Sequence, residues 1–187
     1  MVAITALWLP ILLSAVIVFI ASSVIHMVLT YHRTDYRKLA NENRVLDALR
    51  GENLAPGGYM FPHAATPKDM GSPEMLEKYK RGPVGLLTML PSGPPTMTKN
   101  LVQWFVFCLV VGVFVAYVAG RTLAPGTGYL SVFRIAGSVA FLAYAGARAA
   151  DSIWFGQPWM TTAKHYIDGL VYGLLTAGVF GWLWPDM

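Results

Sequence analysis

The sequence has little charge and almost no cysteine. Charged residues make up 13% of its 187 residues and hydrophobic residues 55%, whereas a soluble domain carries charge on about a quarter of its residues. The single cysteine, Cys108, excludes an intrachain disulfide and a CxxC metal or redox site. The composition therefore argues against an ordinary soluble domain and favours a membrane protein.

The first 32 residues contain no Lys, Arg, Asp or Glu, and the first charged residue is Arg33. A secretory signal peptide needs a basic region before a short apolar run, and here the basic residues follow a long one. This order predicts a retained transmembrane helix whose N-terminus is translocated outward.

Catalytic motifs are also missing. The sequence contains no Walker A run, no GxSxG, no HExxH or CxxCH, and no pair of acidic residues inside a helical segment. No catalytic constellation is predicted, which favours a non-enzymatic protein and leaves the question of an activity open.

Long apolar runs dominate what is present. A helix needs about 20 residues to cross a bilayer, and four runs approach or exceed that length: 4–31, 101–120, 129–147 and 167–184. The predicted fold is all-α, with four transmembrane helices and a large loop between the first two. The predicted divisions are 1–32 (helix 1), 33–100 (cytoplasmic loop with short helices) and 101–187 (helices 2–4).

The basic residues predict the orientation. The loop 33–100 holds ten of the 14 Lys and Arg residues, and two crossings place Arg148 and Lys164 on the same side. The positive-inside rule makes that side cytoplasmic, so both termini lie outside an inner membrane. The net charge of +4 then reflects topology and contact with anionic lipid, and nucleic acid is not an expected partner.

Local signals inside the loop predict some order. Residues 41–50 have a helical apolar face, and Ser72-Pro73-Glu74 is a strong helix start for a segment that ends at Arg81. The apolar runs 58–62 and 84–90 either pair as strands or lie on the membrane surface.

Small residues predict where the membrane helices touch, because close backbone approach drives helix association in lipid. They recur every three or four residues in three segments: Gly112, Ala116 and Gly120; Ala136, Ala140, Ala143 and Ala147; and Gly169, Gly173, Ala177 and Gly181. We expect segments two and three to be antiparallel neighbours, and segments three and four to pack through their Ala and Gly faces.

Ionisable residues near the membrane form a predicted polar cluster, which comprises Arg134, Arg148, Asp151, Lys164 and Asp168. For the four residues at the cytoplasmic interface, anchoring is one interpretation and a proton or ion entry site is the other. Arg134 either reaches the outer surface or faces a water cavity, an anionic lipid or a partner carboxylate. His26 and His165 are expected at similar depth, where they either ligate a haem iron or metal ion or act as interfacial histidines. No other cofactor is implied.

Two stretches carry a resemblance. Ser22 to Met27, followed by the basic loop, and Asp168 to Leu174, running on to Gly181-Trp182-Leu183-Trp184-Pro185, resemble a family of uncharacterised bacterial inner-membrane proteins. The resemblance implies a small bacterial inner-membrane protein over most of the chain and no assigned activity.

Three functions stay open at this point. The leading hypothesis is a non-enzymatic accessory or stabilising subunit of a larger bacterial membrane complex, respiratory or photosynthetic, with other membrane subunits as partners. The alternatives are a small transporter or proton-path component, and a haem- or metal-binding membrane redox protein.

Overall fold

The computed structural model describes residues 1–186, and helices dominate it. The chain forms two compact units. One contains Met1–Tyr36 and the chain from Thr96 onward, and the other is Arg37–Pro95. The second unit lies within the loop predicted for 33–100, and the residues on either side of it belong to the helical unit.

In chain order the α-helices are α1 (Trp8–Ser23), α2 (Glu42–Gly51), α3 (Pro67–Met70), α4 (Pro73–Arg81), α5 (Met97–Thr122), α6 (Tyr129–Ala145), α7 (Arg148–Phe155) and α8 (Trp159–Trp182). The strands are β1 (Gly57–Phe61) and β2 (Gly85–Met89). Helix α1 is extended by a 3-10 turn at Ile4–Leu7 and a π-helical turn at Val24–Val28, and a second 3-10 turn follows at Tyr31–Thr34.

Three helical segments are long and apolar enough to cross a membrane: Ile4–Val28, Met97–Thr122 and Tyr129–Phe155. They correspond to the first three predicted segments. The third of these spans, Tyr129–Phe155, includes both α6 and α7. Helix α8 has 24 residues, but it is less apolar because Lys164, His165 and Asp168 lie in its first half.

The helical unit is built around α8, which packs most extensively on α6 and also contacts α1 and α7. Helix α5 contacts both α1 and α6. The core between these helices contains Leu7, Val115, Val132 and Phe180, all fully buried. Each of the four long helices therefore contributes to one apolar core.

The small residues of α5 pack on the first helical segment. A Cβ atom on Gly112 would lie 3.2 Å from the Ile11 side chain, and one on Gly120 would lie 2.6 Å from the Val2 carbonyl oxygen. The Val2 amide also donates to the Gly120 carbonyl at 2.8 Å. Ala116 is fully buried between them on the same helix.

Glycines bring α6 and α8 together. A Cβ atom on Gly169 would lie 2.5 Å from Ala145 Cβ, and one on Gly173 would lie 3.2 Å from Phe141 Cβ. Gly137 of α6 similarly faces Ala177 of α8. The α8 face agrees with the predicted series, which ends at Gly181 against the Tyr129 ring.

The face of α6 that receives α8 differs from the predicted Ala series. Ala136 and Ala140 are fully buried in the core that includes α5, whereas Ala143 and Ala147 are exposed. The reason is that α6 has two partners on different sides: the residues that meet the α8 glycines are Gly137, Phe141 and Ala145, whereas the predicted series combined two residues of the shared core with two exposed ones.

The unit Arg37–Pro95 contains a two-stranded antiparallel sheet, in which Tyr59 is opposite Leu87. Of the two alternatives for the apolar runs, strand pairing is the one observed. Helix α4 begins as predicted, with the Ser72 hydroxyl accepting a hydrogen bond from the Met75 amide and Pro73 in the first position. No residue of this unit is buried.

Candidate functional site

A buried carboxylate lies where α8 meets the end of the first helical segment. Asp168 is 3% exposed, and the hydroxyl of Tyr31 donates to its Oδ1. Nε2 of His32 lies 2.9 Å from its Oδ2. Burial raises the pKa of Tyr31, and the hydrogen bond to Asp168 raises it further, so this hydroxyl remains a donor. Both oxygens of Asp168 therefore have partners from the same short turn.

His32 bridges two carboxylates. Its Nδ1 lies 2.6 Å from Oδ2 of Asp35, and its Nε2 faces Asp168. Ionised carboxylates only accept hydrogen bonds, so both ring nitrogens must donate if both acids are charged. The bridge then contains an imidazolium between two carboxylates.

Lys164 adds a cation to this network. Its Nζ lies 2.6 Å from Oδ1 of Asp35, 2.6 Å from the Tyr31 carbonyl oxygen and 2.8 Å from Oγ1 of Thr34. Burial by itself would raise the pKa of Asp35, but the hydrogen bonds from Lys164 and His32 outweigh it and lower that pKa. His32 and Lys164 thus connect Asp35 and Asp168, and they fasten the turn Tyr31–Thr34 to α8.

His26 adds a third imidazole to this group. It lies in the π-helical turn Val24–Val28, a kind of helical irregularity that is frequent at functional sites. Its ring centroid is 4.5 Å from that of His32. Its Nε2 is 3.5 Å from the Tyr172 hydroxyl.

A cavity of about 490 Å³ opens beside these side chains. Its walls include His26, His32, Asp35, Arg148, Gln157 and His165. The cavity supplies polar surface on one side of the histidines, and the helices supply packed apolar residues on the other.

Three of these residues have the arrangement of metal ligands. One donor atom from each of His26, His32 and Asp168, here named the His–Asp cluster, lies within 4.8 Å of the other two. In a tetrahedral site with bonds of about 2.1 Å, two ligand atoms are roughly 3.4 Å apart. A pair at the 4.8 Å limit must therefore close by about 1.4 Å, which requires rotation of the exposed His26 side chain.

The structure places the residues of the predicted polar cluster in two regions. Lys164 and Asp168 join the network just described, and Arg148 lines the cavity and lies 3.6 Å from Asp151. Arg134 lies elsewhere, in a groove beside Gly137 and Ser138. It is near the opposite end of α6, which separates it from the other four residues.

The predicted pair His26 and His165 does reach a common cavity. However, the ring of His32 lies against both, with its centroid 5.5 Å from that of His165. Nδ1 of His165 is 3.8 Å from Oδ2 of Asp168. The arrangement is a group of three imidazoles around one carboxylate.

Sequence reasoning assigned no role to Tyr31, His32 and Asp35. Their signal was available in the spacing: His32 and Asp35 are three apart in the first polar turn after the apolar run. They also lie on the side predicted for Lys164 and Asp168. The spacing pairs His32 with Asp35, but it does not connect either residue with α8.

No protein-family model, no curated protein and no solved structure matches this chain. The geometry of the cluster is therefore the main ground for a function.

Proposed function

We propose that this chain is an inner-membrane protein of bacteria that binds one divalent transition-metal ion at the cytoplasmic end of a four-helix bundle. The observation that carries the proposal is the convergence of donor atoms from His26, His32 and Asp168 within 4.8 Å. Two imidazoles and one carboxylate form a common ligand set for Zn²⁺ and for non-haem Fe²⁺.

Asp35 strengthens the case for a metal ion. A ligating histidine usually donates its other ring N–H to a carboxylate or carbonyl group, which fixes the ring orientation. Nδ1 of His32 already has this partner, since Asp35 lies 2.6 Å away. With an ion bound, Nε2 of His32 gives up its proton while Nδ1 continues to donate to Asp35. The cavity leaves room for water in the remaining coordination positions.

Helix α8 is the proposed fourth crossing. Its 24 residues extend roughly 36 Å at helical rise, which exceeds the hydrocarbon core. Its contacts with α1 and α6 and the partners that Tyr31 and His32 provide for Asp168 support this fourth crossing.

The basic residues support a cytoplasmic location for the His–Asp cluster and outside locations for both termini. If a protease cleaved a C-terminal tag only from the cytoplasmic side, the orientation would be the reverse of the one proposed.

Metal binding is expected at one ion per chain. Purified protein, stripped with chelator and titrated with Co²⁺ or Zn²⁺ in detergent, should bind one equivalent, and the affinity should fall as the pH is lowered because imidazole ligands must be unprotonated. His26→Ala and His32→Ala should each lower the affinity by about 100-fold or more, since each removes a ligand.

The matched control is His63→Ala. His63 is an exposed histidine of the other unit, so its loss should leave the stoichiometry and affinity unchanged. A protein that binds no ion, or that loses its ion equally in the His63→Ala variant, would contradict the proposal.

A second candidate function, the accessory subunit, is favoured by the unit Arg37–Pro95. This unit has defined strands and helices but no buried residue. Large apolar side chains such as Leu46, Leu76 and Leu86 are each more than 40% exposed. A unit of this size without a core gains little stability by itself, so we propose that a further subunit covers it.

This second proposal is tested by purification in a mild detergent. We expect a stoichiometric second chain to co-purify, and Leu46→Ser with Leu76→Ser should release it because apolar contacts are lost. Asp47→Ser, which changes an exposed residue of the same α2 helix, is the control. A protein that always isolates alone, or only with lipid, would remove this candidate.

A further inference from the structure

A shallow apolar groove runs along the contact between α6 and α8. Gly137 and Gly173 have no side chains there, and the backbones approach so closely that a Cβ on Gly173 would lie 3.3 Å from the Gly137 carbonyl oxygen. The groove has a volume of about 260 Å³, and its walls include Phe133, Phe141 and Leu174. Leu174 is 47% exposed, so the groove faces the surroundings of the bundle.

One cation lines this groove. Arg134 is exposed and lies five residues after the first residue of α6, which is about 7.5 Å along the helix axis. This position is near the end of the bundle that is remote from the His–Asp cluster. Its depth places the guanidinium within reach of the lipid headgroups.

The acids of the long helices are not free to pair with Arg134. Helices α1, α5 and α6 contain no Asp or Glu, and the one acid of α8 is Asp168, which is held by Tyr31 and His32. Among residues 1–186, no carboxylate lies within ion-pair distance of Arg134. Asp186 is exposed beyond the end of α8 and forms no ion pair with Arg134. An unpaired guanidinium in a membrane is costly, so we expect its anion to come from another molecule.

We infer that the groove binds an anionic phospholipid, with an acyl chain along the α6–α8 contact and the phosphate on Arg134. The apolar walls suit the hydrocarbon and the guanidinium suits a phosphate, which it binds through two parallel hydrogen bonds. Ser138 is four residues further along the same helix and also lines the groove, where its hydroxyl can donate to the lipid ester. This inference does not depend on the proposed metal ion.

Native mass spectrometry of delipidated protein tests the inference. We expect the protein to retain phosphatidylglycerol in preference to phosphatidylcholine, and Arg134→Gln to reduce that binding by about fivefold or more because a charge contact is lost. Arg134→Lys should keep most of the binding. Ser138→Phe should reduce it by filling the groove while leaving the charge in place.

Arg121→Gln is the matched control, because Arg121 is an exposed arginine at the same end of the bundle and does not line this groove. It should leave lipid binding unchanged. Equal binding of the two lipids, or undiminished binding by Arg134→Gln, would overturn the inference. Saturable binding of inorganic phosphate with no preference for lipid would do the same.

Discussion

Asp168→Asn is expected to abolish metal binding and to destabilise the protein by about 3–5 kcal/mol, the usual effect of removing one partner of a buried ion pair. The substitution keeps the shape of the side chain but removes the charge that Tyr31 and His32 face. His32 is then left beside an amide, with its side chain only 13% exposed. Thermal unfolding in detergent should show a fall in Tm of roughly 10 °C.

Asp151→Asn is the control for this experiment. Asp151 lies near the same cavity wall, but its side chain is 35% exposed and its ion pair with Arg148 spans 3.6 Å. A partly exposed pair of this kind contributes at most about 1 kcal/mol. If the two variants unfolded at the same temperature, or if Asp168→Asn still bound an equivalent of Zn²⁺, the role assigned to the buried carboxylate would be untenable.

Gly169→Ala is expected to destabilise the protein by about 1–3 kcal/mol through overpacking. The added Cβ would lie 2.5 Å from Ala145 Cβ and 3.4 Å from the Ala145 backbone, so α6 and α8 must separate. Because Asp168 is the preceding residue, this separation should also weaken metal binding. Thermal unfolding and Zn²⁺ titration measure the two effects.

Gly178→Ala provides a matched control on the same helix. A Cβ there would meet only the Tyr129 hydroxyl, at 3.8 Å, which is an ordinary contact. Replacing a helical glycine with alanine stabilises a helix by up to about 1 kcal/mol when space allows. Equal losses of Tm in the two variants would show that the α6–α8 contact does not depend on Gly169.

The first three membrane segments were predictable because long uncharged runs have few alternatives in lipid. The residues at which these segments begin and end were harder to predict. The second run was predicted from Leu101, but α5 begins at Met97, since Lys99 is tolerated at a helix end whose charge reaches water. Similarly, the third segment was predicted to end at residue 147, but after α6 ends at Ala145 the chain continues as α7 to Phe155.

The candidate site was only half predictable. Asp168 and Lys164 stand out because ionisable groups in an apolar helix are costly and usually have a functional or structural role. Their partners lie in the turn Tyr31–Thr34 and at Asp35, where no periodicity indicates the direction of a side chain. Arg134 was grouped with them by chemistry alone, but it lies near the start of α6, and the length of that helix separates it from Arg148 and the cluster.

X-ray absorption at the edge of the bound metal identifies the atoms that surround the ion. We expect a first shell of nitrogen and oxygen near 2.0–2.1 Å for Zn²⁺, with outer-shell scattering from two imidazoles that falls to one in the His32→Ala protein. Sulfur in the first shell, or oxygen ligands alone without imidazole scattering, would contradict it, because Cys108 lies outside the His–Asp cluster and two of its three ligands are histidines.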